Sequence, residues 1–590
     1  MANYLRNVWH AMSQGFRDPN DDSDSTQDEV REAAVKEAWQ RSFGDDELVF
    51  FGAGVANIDL STLHPAPIQI FQLWQIYLDN VNPLLKVTHV PSLQSRIIEA
   101  VGDLNSISHT LEALMFSIYC TAILSLQVDE CQTTFGSSQS DLLARYRFGC
   151  QQALLNSGFL RSDDRDCLTA LLLYLISIRP AAVPVSLATI LATAIRIAQR
   201  MGIQSEATLA KLPALEAEMR RRLWWALVLF DTRVSETTNH GEVTLGPTWD
   251  CKIPLNVNDS DLRPGMKEPR AFQGTTTDAL FAVVRSKLGD FLRYNTLHLD
   301  ITNPVLKQIA RPSQSDSISG ETDDISRLEA EIEAKYLKFC DEENPLHFLT
   351  IWTTRAQLAK WRLMEHCLKY IDDASIARTE SQRDTATSIA MRVLQCDTKI
   401  MSSPLTRGFV WLHHLYFPFP AYLQVAQDLR TRPHSKLNRQ AWEVLSDDYE
   451  AWSKYLDDKE GRGKSPVFLI FAKLILQAWD TSKTSGHIQQ EPKIVSSILE
   501  TMAQTTMGAQ EDTDTDTAQP ANIMDMGIDE LSMSMPMNFV DQNLSYDMAV
   551  QARSMFGPAV YSGMAPQPTW SLQDRFSWNS MSSYPGWGGF

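Results

Sequence analysis

The chain has 590 residues and a formal net charge of −19 at pH 7, and 44% of its residues are hydrophobic. This composition is close to that of globular proteins, which excludes a chain that is disordered throughout. The acidic excess lies at the two ends, because residues 1–60 carry 12 acidic and 5 basic side chains and residues 501–590 carry 10 and 2. Since a phosphate backbone is bound by clustered lysines and arginines, we expect no direct nucleic-acid binding by this chain alone.

Cysteine spacing and hydropathy exclude further classes. The eight cysteines are at least eleven positions apart, whereas zinc sites use cysteine pairs at short spacing. We therefore expect no metal site and no cofactor. The longest apolar stretch, Cys167–Ile178, has 12 residues, fewer than the ~20 needed to cross a bilayer. The N-terminus lacks a secretion signal, so the sequence predicts a protein of the cytosol or nucleus with no membrane segment.

Apolar residues recur at three- and four-residue steps along most of the chain, which predicts an all-α fold. The predicted helices span residues 29–41, 107–126, 140–157, 166–178, 186–201, 213–235, 276–296, 326–341, 345–371, 382–400, 438–456 and 465–482. In the second of these, one apolar stripe is expected to face the core while the polar remainder faces solvent. That stripe consists of Leu111, Leu114, Met115, Ile118, Ala122 and Leu126.

Polar stretches mark the predicted boundaries between parts of the chain. Residues 18–29 and 505–522 are rich in acidic and small polar residues, and residues 311–325 resemble a linker or a long surface loop. The predicted division is an acidic N-terminal segment at 1–60, a first helical part at 61–310, the linker or loop at 311–325, a second helical part at 326–485 and a tail at 486–590. The N-terminal segment and the tail are predicted to be disordered.

The sequence carries no signature of catalysis. It contains no GxSxG, HExxH, P-loop or CxxC motif, so we expect a protein that is not an enzyme. The longest basic run, Arg220–Arg222, follows Glu216 and Glu218 and precedes Trp224 and Trp225. A nucleic-acid patch would need more basic neighbours, so we favour ion pairing within the chain beside buried tryptophans.

A candidate activation segment lies in the tail, where apolar residues at helical spacing are interleaved with acids. Acids that keep a flexible apolar stripe soluble until it meets a groove on a partner are typical of activation segments. Eleven of the 20 methionines follow residue 500, and adaptable methionine side chains suit such docking. A plain disordered tail is an equally good interpretation. The candidate stripe comprises Met524, Asp525, Ile528, Asp529, Glu530, Leu531 and Met535.

Several stretches, in order, resemble the middle homology region of fungal-specific transcription factors, the helical domain that follows the zinc binuclear cluster in those regulators. The most specific is EMRRRLWWALVLFDTRVSE at 218–236. The others are FQLWQIYLDNVNPLLKVTHVPSLQ at 71–94, AIRIAQRMGIQ at 194–204, LGPTWDCKIPLNVNDSDL at 245–262, residues 337–363 and LILQAW at 474–479. The resemblance covers roughly residues 60–485 and implies the large helical fold of that family.

The residues that carry the resemblance are interpreted as structural. Trp74 and Tyr77 are expected to anchor a core, and Pro83 and Pro91 to end or redirect the chain. The polar residues of the loop at 250–262 are interpreted as caps or Asx turns rather than metal ligands. The remaining motif residues are Arg221, Arg222, Trp224, Trp225, Asp231, Pro254, Asn258, Asp259 and Asp261.

The resemblance implies a nuclear transcriptional regulator, often one that controls a specific pathway or biosynthetic gene cluster. Family members usually begin with six closely spaced cysteines that hold two zinc ions, whereas this chain has no cysteine before Cys120. We therefore expect it to act through partners: coactivators, a DNA-binding regulator or a small-molecule effector. The alternative is a helical ligand-binding or scaffold protein derived from the family, with no direct role in transcription. A start codon recorded too late would also account for the missing cysteines.

Overall fold

A computed structural model describes residues 60–179, 182, 184–235, 248–266, 275–294, 324–368, 379–413, 418–454, 466–484 and 490–511. The predicted helix at 29–41, the acidic segment before residue 60 and the candidate activation stripe lie outside these residues. So does most of the predicted linker at 311–325, whose last two residues, Asp324 and Ile325, begin a helix.

The described residues form sixteen α-helices of eight or more residues and no β-strand, which confirms the predicted all-α fold. The helices are α1 Pro67–Ile76, α2 Val90–Gly102, α3 His109–Leu124, α4 Val128–Phe135, α5 Gln139–Asn156, α6 Arg165–Ile178, α7 Pro184–Arg200, α8 Ala214–Ser235, α9 Leu280–Tyr294, α10 Asp324–Lys335, α11 Pro345–Leu368, α12 Glu380–Ser402, α13 Phe419–Thr431, α14 Asn438–Ser453, α15 Pro466–Thr484 and α16 Lys493–Glu511. Shorter helical turns occur at Tyr77–Val81, Asn82–Leu85, Glu206–Leu209, Pro404–Phe409 and Val410–His413. Within this part of the chain, no helix combines the length and the apolar character that a bilayer crossing requires.

The first hydrophobic cluster is organised around α3, which packs against α1, α5 and α6. The sequence predicted a single buried stripe on this helix, but every residue from Leu111 to Ile123 is buried. A helix with neighbours on all sides buries every face, so the prediction of a solvent-facing side was wrong. Ser117 and Thr121 donate from their hydroxyl groups to backbone oxygens in the preceding turn, at 2.8 and 3.0 Å, which satisfies them inside the core.

The second hydrophobic cluster is organised around α12, which packs against α11, α13 and α14. Helix α16 also belongs to it, because Ile494, Val495 and Ile498 are buried there. The sequence placed the start of a disordered tail at residue 486, whereas Lys493–Glu511 is helical. Its apolar anchors stand among Ser, Thr and Gln residues, so the periodic signal was too weak to predict this helix.

The motif prolines lie at helix starts. Pro91 lies in the first turn of α2, and Pro83 lies in the first turn of the short helix Asn82–Leu85. The N–H groups of a first turn have no acceptor within the helix, so proline loses nothing there. The sequence expected these prolines to end or redirect the chain, and the structure corrects that expectation to the initiation of a helical turn.

Candidate functional site

The most specific sequence motif places two tryptophans in the first hydrophobic cluster. Trp224 and Trp225 lie on α8 and are no more than 1% exposed. The loop after α8 brings Trp249 edge-on against both of them, with ring centroids 5.4 and 5.1 Å apart. Trp225 donates from Nε1 to the backbone oxygen of Lys252 at 2.7 Å. Packing and a hydrogen bond therefore fix the loop to the helix.

Four buried charged side chains lie beside this aromatic group: Lys86, Glu218, Arg222 and Asp259. Arg222 donates from Nε to Glu218 Oε1 at 3.1 Å and from Nη1 to Asp259 Oδ1 at 2.6 Å. Lys86 donates from Nζ to Asp259 Oδ2 at 3.1 Å and lies 2.8 Å from Asp278 Oδ2. We call the four residues the buried charge network. It joins α8 to two segments that are distant from it in the sequence.

Ion pairing decides the charge state of Asp259. Burial by itself raises the pKa of a carboxyl group, but the positive charges of Lys86 and Arg222 outweigh it and hold the pKa of Asp259 below its ordinary value. In Glu218 burial prevails over Arg222 and Arg221, so the pKa of Glu218 is raised. Asp259 is therefore the anion that the two cations of the network share.

All three arginines of the basic run form ion pairs within the chain. Arg220 lies 2.7 Å from Glu216, and Arg221 lies 2.6 Å from Glu206 and 3.0 Å from Glu218. The third arginine belongs to the buried charge network. The run therefore presents carboxylate-paired guanidinium groups rather than an open basic patch.

The loop at 250–262 holds the remaining motif residues. Asn258 donates from Nδ2 to Asp261 Oδ2 at 3.0 Å, a local contact of the kind predicted for this loop. Pro254 is buried. Asp259 differs from the prediction, because its carboxylate forms long-range ion pairs instead of capping a turn. Nowhere in the described ranges do three His, Cys, Asp or Glu side chains converge in a way that could hold a metal ion.

The opening motif is buried in the first hydrophobic cluster. Trp74 stacks on Tyr77 with ring centroids 5.6 Å apart, and both side chains are buried. Asp231 is also buried, on α8. These positions support the core.

Lys86 is the member of the network that the sequence reasoning missed. It is only 2% exposed and has a left-handed backbone conformation, with φ of 52°. Non-glycine residues adopt this conformation at an energetic cost, so the surrounding contacts must hold it there. A lone lysine in the stretch LLKVTHV was the available signal, because a buried ammonium group requires a buried anion.

A cavity of about 140 Å³ lies between the two hydrophobic clusters. Its wall includes Leu349 and Phe409 from the first cluster and Leu288, Trp361 and Val393 from the second. We call it the inter-cluster cavity. Its other lining residues are Leu229, Thr232, Arg233, Phe281, Arg285, Gly289, Leu292, Thr353, Ala356, Gln357, Lys360, Asp397, Leu412 and Pro418.

Cationic side chains from three helices line the inter-cluster cavity: Arg233 on α8, Arg285 on α9 and Lys360 on α11. The carboxylate among the described lining residues is Asp397 on α12. Burial and the neighbouring charge of Arg233 lower the pKa of Lys360 to about 7. The amine of Lys360 therefore titrates near neutral pH, and an anion placed beside it would raise its pKa again.

Asp397 accepts a hydrogen bond from Nε1 of Trp452, which packs in a small separate cluster with Met401, Val410 and Ala451. The nearby Asp448 accepts hydrogen bonds from Tyr422 Oη at 2.6 Å and from Thr398 Oγ1 at 2.9 Å. Burial and the Asp397 carboxylate raise the pKa of Asp448 well above its ordinary value. The neutral form of Asp448 is favoured, so the two adjacent carboxyl groups avoid carrying two negative charges.

A smaller cavity of about 30 Å³ lies between the buried charge network and the inter-cluster cavity. Arg222 of the network lines it. Leu229, Arg233, Arg285 and Leu412 line both cavities. The smaller cavity therefore shares four lining residues with the inter-cluster cavity and one with the network.

Comparison with known proteins shows the class of regulator that this helical architecture represents. The fungal specific transcription factor domain matches residues 74–318, a segment that contains the last three residues of α1, all of α2 to α9 and every residue of the buried charge network. The match confirms the resemblance seen in the sequence.

Proteins similar to this chain are named as transcriptional regulators of fungi. Transcriptional regulator AacuB of Aspergillus aculeatus is 45% identical over 528 residues, which cover 88% of this chain and 70% of that protein. Transcriptional regulator nsrM of Aspergillus novofumigatus is 41% identical over 590 residues, 97% of this chain and 79% of that protein. Aurofusarin cluster transcription factor aurR2 of Gibberella zeae is 33% identical over 432 residues, 72% of this chain and 62% of that protein. The chain belongs to the fungal-specific transcription factor family.

Proposed function

We propose that this protein regulates transcription of a specific biosynthetic gene cluster in the nucleus. The observation that carries the proposal is the similarity to named transcriptional regulators over 88% and 97% of the chain. The name of aurR2, which refers to the aurofusarin cluster, supports control of a gene cluster. The motif residues stabilise a core, which supports a role without catalysis.

Gene deletion followed by transcript sequencing tests this proposal. We expect transcripts from one contiguous group of genes to change, and the wild-type chain to restore them. A fluorescent fusion is expected in the nucleus. Unchanged transcripts, together with a fusion that stays in the cytoplasm, would contradict the proposal.

We infer that these 590 residues reach DNA through another polypeptide or through a zinc cluster encoded upstream of Met1. The first 119 residues contain no cysteine, and the basic run at 220–222 is paired with carboxylates. The purified chain of 590 residues should not bind promoter DNA specifically at physiological salt. Tight specific binding by the chain alone would overturn this inference. An in-frame stretch of six cysteines upstream of Met1 would support the second route, and a stop codon the first.

The candidate activation stripe is proposed to fold on a coactivator groove. With the full chain fused to a foreign DNA-binding domain, replacing Ile528 and Leu531 by Ala should lower reporter transcription several-fold. The matched control replaces Met548 and Val550 by Ala, two apolar tail residues outside the stripe, and should leave the reporter unchanged. An equal effect of both pairs, or none, would favour a plain tail.

A second candidate function is that of a helical ligand-binding protein with no role in transcription. The inter-cluster cavity favours it, because apolar cavities with a few polar groups are the usual sites for small molecules. Nuclear localisation and altered transcripts on deletion would exclude this candidate as the whole function. They would remain compatible with the cavity as an effector site of the regulator.

A further inference from the structure

A groove of about 1120 Å³ runs between four helices of the second helical part, α10, α11, α12 and α14. We call it the four-helix groove. Helices α11 and α12 pack against each other, α10 packs on α11, and α14 packs on α12. The middle pair therefore forms the floor of the groove, and α10 and α14 flank it. Since small-molecule sites usually measure about 300–1,000 Å³, an open groove of this size suits a segment of polypeptide better.

The floor of the four-helix groove carries three cationic side chains: Arg355 on α11, and Arg392 and Lys399 on α12. In the part of the chain that the structure describes, none of the three pairs with a carboxylate. Arg392 and Lys399 are exposed and lie two turns apart on one face of α12. All three lie near the buried thiol of Cys396, because their charges lower its pKa while burial raises it to about 11. The floor is therefore positively charged.

The acidic residues of the four-helix groove lie on the two flanking helices. Glu329 on α10 already pairs with Arg362 of α11. Glu333 on α10 and Asp447 on α14 are exposed at the edges. An anionic segment is therefore attracted to the floor and repelled by the edges, which favours a position along the middle of the groove.

Apolar surface lies beside the cations of the floor. Trp352 on α11 is half-buried. Lys399 Nζ lies 4.4 Å from the centroid of its ring and the Arg355 guanidinium carbon 5.0 Å, both within the range of cation–π contacts. Ala330 and Val444 add aliphatic surface from the flanks. The groove thus combines apolar and positive surface, which is complementary to a helix with apolar and acidic residues.

The candidate activation stripe has this complementary character. In a helical conformation Met524, Ile528 and Leu531 would share one face. Asp525 and Asp529 would then lie one turn apart beside that face. The stripe can therefore present apolar and acidic side chains to the same groove.

The chain is long enough for the stripe to reach the four-helix groove. The backbone N–H of Ile494, at the start of α16, donates to Ser446 Oγ at 3.4 Å, and Ser446 is the neighbour of Asp447 at the edge of the groove. The 19 residues of α16 extend about 28 Å from this point. The 12 residues from 512 to 523 can span up to about 40 Å, more than the length of the helix. Short connections also give a high effective concentration, so weak contacts are sufficient.

We propose that the four-helix groove binds the candidate activation stripe of the same chain as an amphipathic helix, with its apolar face against Trp352 and its acids at Arg392 and Lys399. Docking itself does not depend on the proposed role of the stripe in transcription, whereas its consequence does. The stripe uses the same apolar face for the groove and for a coactivator, so it cannot bind both at once.

Zero-length crosslinking of the purified chain with a carbodiimide tests the contact, because this reagent joins an amine only to a carboxylate that touches it. We expect an amide bond between Lys399 and an acid of the stripe, identified by mass spectrometry of the digest. Sodium chloride at about 0.5 M should lower its yield several-fold, since exposed charges are screened. The control is Lys436, an exposed lysine that does not line the groove. No bond at Lys399, or equal yields at Lys399 and Lys436, overturns the proposal.

Isotope labelling identifies the chain that supplies the stripe. Unlabelled chain and chain labelled with heavy nitrogen are mixed before crosslinking. We expect the two peptides joined at Lys399 to carry the same label. Joined peptides that carry different labels would show that the groove takes the stripe of a second copy, which would overturn the assignment to the same chain.

A matched pair of charge reversals tests the floor of the groove. Arg392→Glu reverses an exposed charge and should lower the yield of the Lys399 crosslink several-fold. Lys436→Glu makes the same change of charge outside the groove and should leave the yield unchanged. Unchanged thermal midpoints show that both variants fold. A wild-type yield in Arg392→Glu would overturn the proposal.

Variants of the stripe separate this proposal from the proposed function. Replacing Ile528 and Leu531 by Ala should lower the yield of the Lys399 crosslink several-fold, whereas replacing Met548 and Val550 by Ala should not. If the crosslink forms as expected but the reporter does not respond to the stripe variant, docking stands and the activation role is rejected. If the reporter responds but no crosslink forms, the groove is rejected and the activation role stands.

Discussion

The charged side chains of the buried charge network and those of the inter-cluster cavity have different surroundings. In the network, Lys86 and Arg222 meet Glu218 and Asp259 at 2.6 to 3.1 Å, so each charge has an opposite charge within hydrogen-bond reach. The inter-cluster cavity instead has charged side chains at the edge of open space, namely Arg233, Arg285, Lys360 and Asp397. Buried ion pairs at short distances are typical of groups that hold a fold together, whereas a few polar groups around an apolar cavity are typical of a binding site.

The largest effect that would test this contrast is expected from Asp259→Asn. The variant leaves Lys86 and Arg222 buried without their shared anion, and breaking a buried pair in this way costs about 3–5 kcal/mol. We expect a corresponding fall in the free energy of unfolding, measured by chemical denaturation at pH 7. Because the pKa of Asp259 lies below its ordinary value of 3.8, the stabilisation is present above pH 3.8 and lost as pH falls further.

Asp261→Asn is the matched control for this variant. Asp261 lies in the same loop but accepts its hydrogen bond from the neutral side chain of Asn258. Its replacement should cost no more than about 1 kcal/mol. Equal losses in the two variants would mean that the loop as a whole, and not the ion pairs of Asp259, stabilises this region.

A change of opposite sign is expected at the cavity. Lys360→Met removes an amine whose pKa is lowered from 10.5 to about 7, a shift equivalent to at most about 5 kcal/mol. The side chain is half-buried, so we expect a gain of about 2 kcal/mol in the free energy of unfolding at pH 7.

The pH dependence of that gain identifies its cause. Between the lowered pKa of about 7 and 10.5, the unfolded wild-type chain binds more protons at Lys360 than the folded chain does. Wild-type stability therefore rises with pH in this window, by at most about 1.4 kcal/mol per pH unit. Lys360→Met lacks this titration, so the difference between variant and wild type should shrink as pH rises above 7. A constant difference would attribute the gain to packing.

The sequence predicts a helix well when the signal for it is local, that is, when an apolar pattern repeats over several turns of the same segment. The long periodic segment at 213–235 appears as α8, Ala214–Ser235, because its pattern is repeated over six turns. Helix α4, Val128–Phe135, has only 8 residues and was not predicted. Neither was α13, Phe419–Thr431, which begins beside two prolines. Short helices are stabilised by tertiary packing, and no local pattern records that packing.

The same limit applies to the site. The sequence indicated that the arginine run pairs within the chain, and acids one turn away were visible. It did not indicate the partners of Asp259, because Arg222 lies 37 residues away and Lys86 lies 173 residues away. The inter-cluster cavity was not predictable from the sequence. It exists because helices of the two clusters do not fill the space between them, which depends on tertiary packing.

A smaller test concerns Asp448, which lies next to Asp397 of the cavity wall. The pKa of Asp448 is raised above its ordinary value of 3.8, so the fold favours the protonated form and loses stability as pH rises from 3.8. Asp448→Asn cannot ionise but loses one of two accepted hydrogen bonds, at a cost of about 1 kcal/mol. We expect it to be less stable than wild type near pH 4 and to recover relative to wild type at pH 8.

Asp447→Asn provides the comparison, because Asp447 is exposed one position earlier on α14. Thermal midpoints of both variants and wild type across this pH range measure the effect. Parallel pH profiles for Asp448→Asn and wild type would show that Asp448 is ionised in the folded protein. Asp448 would then not differ from the ion-paired Asp259 in its charge state.

The smallest effect is expected at the edge of the buried charge network. Arg220 and Arg222 both pair with glutamates four residues earlier on α8, at 2.7 and 3.1 Å. Arg220 is half-buried, whereas Arg222 is 2% exposed. A pair of this kind near solvent contributes about 0.5 kcal/mol or less, so Arg220→Ala should barely change the denaturation midpoint, and added salt should remove the difference. A loss of stability approaching that of Asp259→Asn would mean that the buried charge network includes the whole arginine run, because an ion pair contributes that much free energy only when it is shielded from water.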